Sequence, residues 1–149
     1  MNPTASELLA GSLAAMNEPA AEAASGDFAI GKLSVIGLIS FLCAQEAESG
    51  AAVRHAENDG LRALFAEAAN EGWAPALTDE LAALAKGQDL DFTISGLDTA
   101  NAALRRALIR LQTAVEADGR RNCQRRILSL LLDHARARAL ALPGQAPAP

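Results

Sequence analysis

Alanine and leucine together fill 57 of the 149 positions, while aromatic side chains are limited to four phenylalanines, one tryptophan and no tyrosine. Alanine and leucine are the best apolar helix formers. A packed sheet would call for the β-branched and aromatic residues that this chain lacks. The chain is therefore expected to be all-α, a bundle of four to five helices whose core is built from small and aliphatic side chains. The length suits one domain, placed at 1–142, followed by a disordered proline- and alanine-rich tail at 143–149.

Local signals divide the chain. Thr4-Ala5-Ser6-Glu7 has the form of a capping box, and the helix it opens should fade at Asn17-Glu18-Pro19. A second helix is expected over Phe28–Glu48 with Asp27 as its N-cap. Within it the uncharged run Leu33–Gln45 is too short to span a bilayer, which takes ~20 apolar residues, and reads as a central helix. Ser34, Gly37 and Ser40 recur there every third position and invite the close approach of a neighbour. Val35, Ile36 and Ile39 leave a short strand as the alternative. Ser49-Gly50 either ends this helix or merely weakens it, and a third reads Ala51–Asn70, in which Asn58-Asp59-Gly60 signals a kink or a break.

Glu71–Pro75 reads as a loop, and Thr78 as the cap of a short helix Asp79–Lys86 ended by Gly87. Gln88–Ile94 alternates polar and apolar and is expected to be an extended strap on the bundle, with Leu90, Phe92 and Ile94 on one side. Ser95-Gly96-Leu97-Asp98 opens a helix whose stripe runs Leu97, Ala100, Leu104, Ala107, Leu108, Leu111, Val115, with Arg106, Arg110 and Thr113 opposite. The last helix begins near Arg121 and is expected to bury Ile127, Leu128, Leu131, Ala135 and Leu142. One short similarity recurs: Asn58-x-x-Leu61-Arg62 and Asn101-x-x-Leu104-Arg105. Each Asn is expected at the edge of a buried stripe, tying its helix to a neighbour.

The charges are sorted along the chain. Residues 1–100 carry fifteen acids against four bases, and residues 101–149 nine arginines against three acids, within a net charge of −5. Arg105, Arg106, Arg110, Arg121 and Arg125 form a basic hairpin whose partner is acidic surface, on the same chain or on a second copy. Nucleic acid is the alternative. Against it stand the overall acidity, the absence of stacking aromatics among the arginines and the lack of a binding motif. Trp73, in the loop, is either an end cap of the bundle or an interface anchor.

Little in the sequence points to catalysis. Arg54, His55, Asn58 and Arg62 form the densest polar patch of the first hundred residues, either a pocket for an anion or a solvated face with pairs along one helix. His134, beside Asp133, is expected to be a boundary residue on a helix whose apolar stripe includes Leu131 and Ala135. No Glu-x-x-His tetrapeptide, P-loop or nucleophile elbow occurs. Cys43 and Cys123 stand in no metal or redox spacing and read as buried free thiols. No metal and no cofactor are implied. The expected function is that of a small, non-enzymatic, cytoplasmic interaction protein, an adaptor or an assembly or export chaperone, self-associating and without a membrane segment. The alternatives are a helical domain that binds a small anionic or hydrophobic ligand near His55, with catalytic use of it, and a nucleic-acid binder acting through the arginine hairpin.

Overall fold

The structure, a computed structural model, describes residues 5–17 and 26–142. The Thr4 cap and the 143–149 tail lie outside the described residues. Among those described there are five helices and no strand: α1 Ala5–Asn17, α2 Gly26–Ala68, α3 Pro75–Ala85, α4 Ile94–Asp118 and α5 Arg121–Ala137. The all-α architecture follows from the composition. The strand alternative at Val35–Ile39 does not: those residues are helical.

The two expected helices on either side of Ser49-Gly50 are one element. No proline falls inside α2. Two of its serines turn their hydroxyls back onto the preceding turn, Ser40 onto Ile36 O at 2.9 Å and Ser49 onto Gln45 O at 2.9 Å, so they do not compete for the helical amides. Nor does Asn58-Asp59-Gly60 break it, because the Asn58 side chain bonds to other segments instead of to its own backbone.

The chain forms two compact units, one reaching Gly50 and resuming at Ala139, the other running from Ala51 to Arg138. In the first, the Gln45 amide clamps Ala141, donating to its carbonyl and accepting from its N–H, both at 2.9 Å. Cys43 is buried as expected. The Leu33–Gln45 run is helical but not central: Leu33, Val35, Leu38 and Phe41 are exposed. At Gly37, in the middle of the small-residue stripe, an added Cβ would have nothing within 4 Å among the described residues.

The second unit holds the core. Leu61, Leu64, Phe65 and Ala68 of α2 pack with Trp73, with Leu81 of α3, with Leu104, Ala107, Leu108, Leu111 and Val115 of α4, and with Cys123 and Ile127 of α5. The expected α4 stripe is thus buried along its length, apart from a half-buried Ala100, with Arg106, Arg110 and Thr113 exposed opposite. Asn58 and Asn101 lie 43 residues apart. At the same offset Arg54, Leu61, Leu64, Phe65 and Ala68 map onto Leu97, Leu104, Ala107, Leu108 and Leu111, every one of them buried. The two Asn-x-x-Leu-Arg segments therefore sit in equivalent phase on α2 and α4.

Helix ends differ in detail from the sequence expectation. Pro75 opens α3, earlier than Thr78, because its fixed φ suits the first helical position. Thr93, not Ser95, caps α4 by accepting from Gly96 N at 3.1 Å. Gly119, at φ 64°, takes the left-handed turn that ends α4, and the Arg120 amide closes onto Val115 O at 3.1 Å.

The strap is inverted. Asp89 is buried while Leu90 and Phe92 face outward. Alternation says that neighbouring residues point opposite ways, not which way is in, and here the polar face of α2 draws the acid inward. On α5 the buried line is Cys123, Ile127 and His134, with Leu130 and Leu131 packed against the core, whereas Leu128, Ala135 and Leu142 are exposed. A Cβ at Gly60 would stand 3.0 Å from Leu130 Cδ1 and 3.3 Å from His134 Nε2. That slot fixes the rotation of α5.

Candidate functional site

All four residues of the expected polar patch lie on the part of α2 that faces the 87–93 connection and α4. Arg54, Asn58 and Arg62 are buried, and His55 is half-exposed. They form neither an open anion pocket nor a solvated ladder, because each is engaged by groups from other segments. Arg54 Nε donates to Asp98 Oδ1 at 2.9 Å. The Asn58 amide donates to Asp89 Oδ1 at 3.1 Å and to Leu97 O at 3.2 Å. Arg62 forks between Asp89 and Asp59, reaching the latter at 3.1 Å.

The network continues beyond the expected patch. Arg138 grips Glu57 through both carboxylate oxygens, at 2.5 and 2.6 Å. Asn101 donates to Asn58 Oδ1 at 2.9 Å and accepts from Arg105 Nε at 2.7 Å, and Arg105 also approaches Glu57 at 3.8 Å. Four guanidinium groups, of Arg54, Arg62, Arg105 and Arg138, thus face four carboxylates, of Glu57, Asp59, Asp89 and Asp98. Among these eight groups the formal charges balance. The two Asn-x-x-Leu-Arg segments marked Asn101 and Arg105 in advance. Glu57, Asp89, Asp98 and Arg138 carry no such local signal.

Asp89 is the pivot. Burial works against its charged form, but hydrogen bonds from Arg62, His55 and Asn58 outweigh that and hold its carboxyl at about 2. His55 Nδ1 lies 2.9 Å from Asp89 Oδ2 and Nε2 lies 3.4 Å from Asp59 Oδ2, with the Phe92 ring edge-on at 5.2 Å. His55, Asp59 and Asp89 bring ligand atoms within 4.8 Å of one another, the geometry of a potential metal ligand set. The Arg62 guanidinium already contacts both of these carboxylates, so a cation would enter against a fixed positive charge.

His134 is buried, with Nδ1 lacking a hydrogen-bond partner among the described residues. Burial pushes its imidazole below the usual value, Glu57 and Asp133 acting against the shift and Arg105 and Arg138 with it. Cys123 is also buried, and burial pushes its thiol up. Neither is an accessible reactive group.

The expected basic surface splits in two. Arg105 and Arg110 turn to acids of their own chain, Arg110 to Glu80 at 2.9 Å, and Arg126 likewise reaches Glu67 at 2.9 Å. Arg106, Arg121 and Arg125 remain exposed. Trp73 is buried, its indole N–H donating to Ala68 O at 2.7 Å and its face covered by the Arg120 guanidinium at 3.9 Å. It caps the end of the core and offers a partner little surface. No helix among the described residues is long and apolar enough to cross a membrane. Comparison of the chain with protein-family models, with curated proteins and with solved structures finds no match.

Proposed function

We propose that this chain is a non-enzymatic interaction protein, an adaptor or assembly chaperone that also associates with itself. One observation carries the reading. The ionisable groups best suited to chemistry are engaged with each other inside the 51–138 unit, while Leu90, Phe92, Ile109, Leu128 and Leu132 stand exposed on it. A large apolar residue exposed singly is ordinary, but several on one small unit favour a docking surface.

The test is sedimentation at low and high salt of the wild type and of a variant with Arg106, Arg110, Arg121 and Arg125 changed to Gln, paired with a mobility-shift titration against generic DNA and RNA. The reading expects salt-sensitive self-association or capture of a stoichiometric protein partner, weakened in the variant. A monomeric wild type whose polyanion binding is abolished by the four changes would replace it with nucleic-acid binding.

A second reading has one observation in its favour. Buried Asp89 holds His55 Nδ1 while the ring stays half-exposed, an arrangement that suits a general base acting on a small ligand that displaces the exposed Asp59 carboxylate from Nε2. A metabolite that raises the melting temperature of the wild type but not of His55→Gln would establish it.

A further inference from the structure

Two patches of the 51–138 unit are left open by the described residues. One is the connection between α3 and α4, where Leu90 is 92% and Phe92 61% exposed on either side of exposed Asp91. The other is the outer face of α5, where Leu128 and Leu132 are 56% and 51% exposed, in line with Arg121 and Arg125 at helical spacing. Arg121, Gln124, Arg125 and Leu128 line a shallow groove on this face. Among the described residues no carboxylate reaches Arg121 or Arg125, and Arg125 contacts the Asn122 side-chain oxygen.

The patches match in chemistry. Each presents two large apolar side chains. Around the connection the exposed charges are Asp59 and Asp91 against Lys86, with buried Asp89 paired to Arg62 and Asp91 accepting from Thr93 N at 2.8 Å, whereas the α5 groove has two arginines and no acid. The connection belongs to the acidic first hundred residues and α5 to the arginine-rich remainder, so the charge sorting of the sequence reappears as two surfaces of one unit.

We propose that the occupant of the α5 outer face is the Leu90–Phe92 segment of a second copy of this chain, with the leucines and Phe92 in apolar contact and Asp91 beside Arg121 and Arg125. The proposal rests on the reading of the chain as an interaction protein and names the surface and partner. Every copy carries both halves. A two-fold arrangement uses the contact twice and closes, a higher rotation that divides the full circle closes into a ring, and any other propagates into a chain of copies. So few residues a side fall short of the roughly 800 Å² per partner of a stable interface, so the association depends on protein concentration.

The experiment is sedimentation velocity over a concentration series with the full chain, Leu90→Ser as one variant and Leu128→Ser with Leu132→Ser as the other. All three positions are exposed, so the melting temperatures should match the wild type. The wild type should associate, and each variant should do so about tenfold more weakly. An equal mixture of the two variants should associate more strongly than either alone, because each retains the half that the other has lost. Variants that associate like the wild type, or a mixture no stronger than its components, would overturn this surface while leaving the interaction reading in place. A wild type that stays monomeric throughout would overturn self-association. If it also binds generic DNA, and Arg121→Glu with Arg125→Glu removes that binding, the α5 face is a nucleic-acid surface instead.

Discussion

Asn101 Nδ2 donates to Asn58 Oδ1 at 2.9 Å, joining α4 to α2 at the two residues that open the repeated Asn-x-x-Leu-Arg segments. Each amide is further engaged, Asn58 as donor to Asp89 and Asn101 as acceptor from Arg105. The pair therefore couples the 87–93 connection to α4 through α2.

Asn101→Ala should destabilise the protein by about 1–3 kcal/mol, because it strips the donor from buried Asn58 Oδ1. In a double-mutant cycle with Asn58→Ala, urea denaturation should give a coupling of roughly 0.5–3 kcal/mol. Additive losses would mean that the two amides act independently.

Asp89 should set an acid limb of stability. Its carboxyl falls from 3.8 to about 2 on folding, so its contribution is complete above the higher value and is lost as pH drops through the lower one. Asp89→Asn should remove that limb from the pH dependence of melting. At neutral pH it should cost about 3 kcal/mol, the low end for stripping one partner from a buried ion pair, since Asp59 still meets Arg62. An unchanged acid limb in the variant would assign it to another group.

Two glycines of α2 should respond in opposite directions to alanine. Gly37→Ala enters open space and should stabilise by roughly 0.5–1 kcal/mol through helix propensity alone. Gly60→Ala would press on Leu130 and His134, and should destabilise by about 1–3 kcal/mol of overpacking less that gain. Thermal melts of the two variants check both signs. A stabilised Gly60→Ala would show that α5 is free to retreat.

Leu104→Ala and Leu108→Ala, both in the buried α4 stripe, should each cost about 2–5 kcal/mol. Chemical denaturation measures this directly. Losses below about 1 kcal/mol at both would remove α4 from the centre of the core.

The sequence by itself determined the class of structure and the phase of α4. Alanine and leucine permit little but helices, and a single apolar stripe on α4 leaves one way to bury it. The paired Asn-x-x-Leu-Arg segments also marked both residues of the central amide bond. Tertiary structure decided what local pattern leaves degenerate. Ile127, Leu128, Leu130, Leu131 and Leu132 place apolar groups around much of α5, so periodicity could not choose a face, and the Gly60 slot chose Leu130 and His134. On the 87–93 connection the two-residue period is equally satisfied with either side inward. The guanidinium of Arg62 and the amide of Asn58, 27 and 31 residues earlier in the chain, turned Asp89 in and left Leu90 outside.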